Sequence, residues 1–352
     1  YILEIEPIGN DDINIVWEWH LWDHLVQDFD PSKINYGVVA DYQELLDINF
    51  YSGNGKNDWL HCNSIDYNES LDQIVISSRA LSEFYIIDHS TTTAEASTHN
   101  GGNSGKGGDF LFRWGNPQGY NNNTSLNQEL FGQHDVHWID DNLQDGGKLL
   151  IFNNGEERGY SSIDIVNPMV DANGDYIQIN NEFGPSVPEW TYTDPNPTDF
   201  YSSYISGAQR LPNGNTLICD GAHGTFFEID STETQVWKYI NPVVNTGPLM
   251  QGDQIPITTN GWGNPTFRCT RYSPNFPAFA GRNLSPGNFI ELNPLPSNCQ
   301  MTLSINETEL LNTNKKLIYI ADVLGRETTK QANTLLFYIY DDGTIEKKII
   351  IE

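Results

Sequence analysis

Eight histidines, at 20, 24, 61, 89, 99, 134, 137 and 223, are the side chains of this chain whose type and placement could do chemistry. Three of them fall at or near the start or bend of an inner strand: His61 in DWLHCNSIDY, His134 in GQHDVHWI and His223 in CDGAHGTFFEI. An imidazole can donate, accept, attack or carry a proton near neutral pH. Three in one funnel, with arginines beside them, would make a cationic pocket for a small oxyanion. Sulfate, phosphate and carboxylate all fit, because a guanidinium meets such oxygens bidentately. A packed or hydrogen-bonded histidine is the plainer reading of any one of them; recurrence at repeat-equivalent places argues for a site.

The other histidines point elsewhere. His20 and His24 lie in WEWHLWDHL and are expected to pack against tryptophan, and His89 in DHSTTTAEA is expected in an exposed turn. His134 and His137 are spaced H-x-x-H around Asp135. A strand puts positions i and i+3 on opposite faces, so no metal site is expected there. GGNSGKGGDF is Gly-rich but lacks the G-K-[ST] ending of a phosphate loop, and is read as a mobile loop over a channel mouth.

These residues need elements to hold them. Three segments share one layout: LDQIVISSRALSEFYIIDHS with GGDFLFRWGNP, GGKLLIFNNGEERGYSSIDIVNP with PEWTYTDPNP, and NGNTLICDGAHGTFFEIDSTETQVWKYINP. Each reads as an apolar strand, a bend, a second strand ending near an acid, and a third strand with Trp. Short strands repeating in units are the mark of a β-propeller, with a β-sandwich as the competing architecture. INIVWEWHLWD reads as a Trp-bearing strand that completes a blade begun at the other end of the domain, which would close the ring. Blades are expected over residues 1–298, with late strands in NGWGNPTFRCTRYSPNFPAFAGRNLSPGNFIELNP. A small β-module is expected over 299–352.

Composition narrows the partners. Lys and Arg number 18 against 47 Asp and Glu, a net charge of −29. So acidic a field repels nucleic acid and anionic membranes. No apolar run is long enough to insert in a bilayer. The four cysteines are at 62, 219, 269 and 299. In a cytosolic protein they would be free thiols; in an exported one, Cys269 and Cys299 flank a Pro-rich stretch that a disulfide would staple, and both readings stand.

NDWLHCNSIDYNESLDQIVISSR, GQHDVHWI, LIFNNG, LPNGNTLI and FRCTRYSPNFPAF resemble the arylsulfotransferases, the PAPS-independent aryl-sulfate sulfotransferases. The resemblance implies a six-bladed propeller that moves a sulfuryl group from an aryl sulfate donor to a phenolic acceptor through a sulfohistidine, with no cofactor. It implies His61 as a donor to sulfate oxygens, His134 as a second donor or general acid–base, Arg158 as the arginine after the F-[DN]-N-G strand, and His223 as nucleophile. Arg79 is a further sulfate-contacting candidate, and Gln133, Asn153 and Asn154 would orient these groups. A non-catalytic propeller binding a sulfated or anionic ligand, and a cell-surface structural protein, are the alternatives.

KKLIYIADVLGRETTKQANTLLFYIYDDGTIEKKIIIE resembles the C-terminal sorting domain of type IX secretion cargo of the Bacteroidetes. DVLGRE, the strand LLFYIYDDG and the terminal KKIII carry the likeness. It implies export across the outer membrane by that machinery, and a secreted or surface-attached protein.

Overall fold

A computed structural model describes residues 1–51, 58–121, 128–179, 181–258, 261–285, 287–294, 316–322, 326–331, 334–340 and 345–349. The chain divides into two compact units, Tyr1–Leu295 and Pro296–Glu352. The fold is all-β.

The first unit is built on three four-stranded antiparallel meanders. The first sheet runs Cys62–Asn68, Gln73–Ser78, Glu83–Asp88 and Phe110–Trp114. In the second, the chain order is His134–Trp138, Leu149–Asn153, Ser162–Val166 and Trp190–Tyr192. Gly207–Arg210, Thr216–Asp220, Thr225–Ile229 and Gln235–Ile240 form the third.

The middle strands are apolar on both faces because both faces are covered. Alternation divides the second sheet between its neighbours. Leu149 and Ile151 face the first sheet, in a core with Val75, Phe84, Ile86, Phe112 and Trp114. Leu150 and Phe152 turn the other way, toward Ala208, Ile218, Phe227 and Ile229 of the third. The sheets are therefore stacked face to face. Their first strands are cross-linked by side chains that take up backbone donors of the next sheet: Ser64 Oγ accepts from Val136 N at 3.0 Å and Asp66 Oδ2 from Trp138 N at 2.9 Å. Asp135 Oδ2 likewise accepts from Ala208 N at 3.1 Å.

Several expectations change here. Trp114, Trp190 and Trp237 lie on the fourth strand of each sheet, not the third, because a mixed-polarity first strand precedes the apolar pair. Among the described residues INIVWEWHLWD joins no distant sheet: Asp12–Trp19 pairs with Ile2–Ile8 in a hairpin, and Trp17 and Trp19 pack on Ile74, Tyr85 and Phe110 of the first sheet. Local hairpin closure between neighbouring segments wins over a pairing with the far end of the domain. Of the late strands expected in NGWGNPTFRCTRYSPNFPAFAGRNLSPGNFIELNP, the described residues hold Gly261–Trp262, paired with Ile257–Thr258. Among the described residues, no strand lies between Trp262 and Leu317. Part of DHSTTTAEA forms a one-turn helix, Thr93–Ala96, closed by a capping box between Thr92 and Glu95.

The second unit holds a four-stranded antiparallel sheet in the order Glu327–Thr328, Leu317–Ala321, Leu335–Tyr340, Ile345–Ile349. The DDG turn lies outside the described residues.

Candidate functional site

An antiparallel meander brings the start of its first strand beside the end of its second. His61 just before one first strand, and His134 opening the next, thus share an end of the stack with the loops that leave the second strands. Arg79 stands on the first of these loops, and its N–H donates to the His61 carbonyl at 3.2 Å. Asn154, Glu156 and Arg158 stand on the second, and His223 on the third.

His134 is buried, and its ring orientation follows from its neighbours. Asn154 Nδ2 donates to the carbonyls of Ser202 and Ile205, at 2.7 and 3.0 Å, so Asn154 presents its oxygen to the ring. His134 Nδ1 lies 2.8 Å from that Oδ1 and 3.2 Å from the Gly132 carbonyl. Both are acceptors, so Nδ1 carries the proton and Nε2 keeps its lone pair. Burial pushes the pKa down to about 4 against the lift from the Asn154 hydrogen bond, and the charges of Arg79 and His61 press the same way as burial. The ring is neutral at pH 7, with an unprotonated nitrogen.

His61 is exposed, in the left-handed region with φ 49°, and its Nδ1 pairs with the Asp58 carboxylate. Arg79 pairs with Glu156, both partly exposed. The Arg158 guanidinium lies over the rings of Phe131 and Tyr160, at 5.2 and 4.7 Å, and donates to Ser162 Oγ at 3.0 Å.

Gln133 and Asn153, expected to orient these groups, are buried and donate to the protein's own strands, with Gln133 Oε1 left without a hydrogen-bond partner among the described residues. Gln133 Nε2 donates to Ser77 Oγ and to the carbonyls of Ser78 and Glu83, clamping the first sheet to the second. Asn153 Nδ2 donates to the Glu129 carbonyl and Asp164, while its oxygen accepts from Phe131 N. Both position the strand entry that carries His134.

His223 departs from the expected equivalence with His61 and His134. It sits in the loop between second and third strands, the place Arg79 has in the first sheet. The third sheet's first strand is entered through Ser206 and Gly207, without an imidazole. His223 Nδ1 lies 2.8 Å from both oxygens of Asp220, and that hydrogen bond raises its pKa. The ring lies in a separate hollow of about 370 Å³ with Tyr192, Lys238 and Trp262. The short Gly221–Gly224 bend keeps it close to its own sheet.

One residue passed over in the sequence joins this end of the stack. Arg268 Nε lies 2.9 Å from Asp135 Oδ1, and the same carboxylate holds Ala208 N. Its only signal was its place in FRCTRY. Nearby, Cys269 meets Cys219, and the hydrogen bond between the thiols, with burial, pushes the Cys219 thiol up. Cys299, the expected partner of Cys269, lies outside the described residues.

The class of protein this defines is an all-β chain of stacked four-stranded antiparallel sheets with a buried histidine at one end of the stack. The chain belongs to the arylsulfotransferase (ASST) family, whose profile matches residues 2–249. No curated protein matches the chain. Among solved structures it is similar to a streptogramin B lyase, at 12% identity and TM-score 0.27 over 82% of this chain and 68% of that one. A selenomethionine-substituted virginiamycin B lyase from Staphylococcus aureus matches at 12% identity and TM-score 0.27, over 82% of this chain and 70% of that one. A protein of unknown function from Bacteroides caccae matches at 12% and 0.24, over 57% and 68%.

Proposed function

We propose that this protein transfers a sulfuryl group from an aryl sulfate to a phenol, and that His134 is the attacking imidazole. The observation that carries the reading is the locked tautomer of His134: Nδ1–H on Asn154 Oδ1 at 2.8 Å, Nε2 unprotonated, Arg79 and His61 close by. The Nε2 lone pair forms a bond to sulfur as the sulfur–oxygen bond to the aryl group breaks, and the phenolate leaves with the electron pair. His61 or water supplies its proton. Arg79, shifting from Glu156, stabilises the sulfuryl oxygens, and Arg158 guards the flank. The hydroxyl oxygen of a phenol then attacks sulfur, the nitrogen–sulfur bond breaks, and the phenol's proton passes to His61 or water. This cycle draws on no cofactor.

The three sheets would be consecutive blades of a propeller. The six-bladed ring implied by the resemblance needs three more, for which only two-stranded ribbons are described in the first unit. We assign the second unit as a type IX sorting module, which makes the protein secreted or surface-attached; deleting residues 296–352 should then leave it inside the cell.

A second reading is favoured by one observation. The third strand entry carries Ser206 where the first two carry histidine, so the pocket would bind a sulfated or other anionic ligand without turning it over. p-Nitrophenyl sulfate, with and without phenol, separates the two. Acceptor-dependent nitrophenol release that His134→Ala abolishes and His223→Ala retains within a few-fold supports transfer. Binding without turnover supports the second reading, and loss only in His223→Ala returns the nucleophile to that residue.

A further inference from the structure

His24, expected only to pack on tryptophan, anchors a second constellation. We propose that His24, His99 and Asp109 form a structural site for a zinc-class divalent transition-metal ion that ties the N-terminal segment to the first sheet.

The donor atoms of these three residues lie within 4.8 Å of one another. His24 Nδ1 is 2.7 Å from Asp109 Oδ1, and His99 Nδ1 is 2.8 Å from the same oxygen. The other nitrogen of His24 decides its role. Nε2 lies 2.8 Å from the Ala96 carbonyl, which can only accept, so Nε2 carries a proton. Nδ1 is then the nitrogen that faces the Asp109 carboxylate, in a place with no solvent exposure. A divalent cation placed there would take that nitrogen, the Asp109 oxygen and the His99 ring as ligands together. A ring bound through one nitrogen while the other donates to a backbone carbonyl is the usual setting of a metal-binding histidine.

The surroundings hold this ring in place. His24 stacks on Trp19 with the planes 2° apart, and Trp19 Nε1 donates to the Gly108 carbonyl at 2.7 Å. A Cβ on Gly108 would stand 2.1 Å from the Ala96 carbonyl and 2.6 Å from His24 Nε2, so only glycine lets the backbone pass. Three chain segments meet at this point: residue 24, residues 96–99 and residues 108–109. Imidazole with carboxylate suits zinc. Metal–ligand bonds of about 2.0–2.2 Å in a tetrahedral shell need donors roughly 3.3 Å apart, so the rings would open by about half an ångström. A fourth ligand has room, because His99 and Asp109 line a cavity of about 410 Å³ with Tyr42, Glu44 and Lys106.

The site is structural by position. Asp109 precedes Phe110, which pairs with Ile87 at the end of the sheet away from Arg79. Strands of five or six residues, at about 3.3 Å each, put roughly 15–20 Å between the ion and the sulfuryl-transfer pocket.

The full chain, stripped with a chelator and dialysed, should take up one equivalent of Zn²⁺ by calorimetry, with a rise in Tm of several degrees. Co²⁺ in its place should show the visible absorption of a nitrogen- and oxygen-bound ion. His99→Ala, at the exposed ligand, should fold with the Tm of the metal-free protein and bind Zn²⁺ at least about 100-fold more weakly. His20→Ala should bind like the wild type. Uptake unchanged in His99→Ala, or no stoichiometric uptake by the wild type, overturns the assignment.

Discussion

His134 Nδ1 lies 2.8 Å from Asn154 Oδ1, and Asn154 cannot turn its amide over without losing two carbonyl partners. This one pair decides which nitrogen of the histidine is available. Asn154→Asp places a negative charge on Nδ1–H and favours the imidazolium. The acid limb of kcat/KM should move up by one unit or more, and stability should fall by about 1–3 kcal/mol because the two carbonyls lose their donor. An unmoved acid limb would separate Asn154 from the reacting ring.

The same histidine ties stability to pH. Its pKa in the fold is about 4, below the ordinary 6.5, so between these values the unfolded chain binds this proton more readily. The contribution of His134 therefore lowers stability as pH falls from 6.5 to 4, by up to about 3 kcal/mol, and is flat above. Urea denaturation across that window should show the slope, and His134→Gln should remove it.

Arg79 is held by Glu156 rather than left open for an anion. Freeing it with Glu156→Gln should lower KM for an aryl sulfate by about 3–10-fold with little change in kcat, since a partly exposed pair is worth only about 1 kcal/mol. Arg79→Ala should raise KM instead. Both are read from initial rates at fixed ionic strength.

Gly207 has no room for a side chain, because a Cβ there would lie 2.1 Å from Asp135 Oδ2. Gly207→Ala should push Asp135 off Ala208 N and off Arg268 together. A Tm lower by several degrees and weaker aryl-sulfate binding are expected, measured by thermal unfolding and by KM.

Arg113 and Glu83 form a fully buried pair, with Arg113 Nε 3.0 Å from Glu83 Oε1 and the guanidinium over the Tyr85, Phe110 and Tyr120 rings. Glu83→Gln strands the arginine's charge and should cost about 3–5 kcal/mol in chemical denaturation. A double change to apolar residues of similar volume should recover most of that loss.

Where local pattern was enough, the sequence could be read directly. QIVISS, LLIFN and TLICD are largely apolar stretches bounded by turn residues, and each is a strand covered on both faces. Likewise, His61, Arg79 and His134 share one end of the stack because meander geometry alone brings a first strand's start beside a second strand's end. The first strands were harder to see. CNSIDYN mixes half-buried and exposed positions, and its polar residues serve the neighbouring sheet, a relation no local window contains.

The rest depended on distance in sequence and on loop length. The third loop has four residues against eight in the second, and its His223 is held on Asp220. The salt bridge from Arg268 to Asp135 crosses more than a hundred residues, and the tautomer of His134 depends on the carbonyls of Ser202 and Ile205. Residue order is sufficient to set strands, turns and a supply of imidazoles. Which imidazole stands buried, neutral and unprotonated on one side is settled only when three sheets stack, because burial and the partner of its other nitrogen are properties of the packed whole.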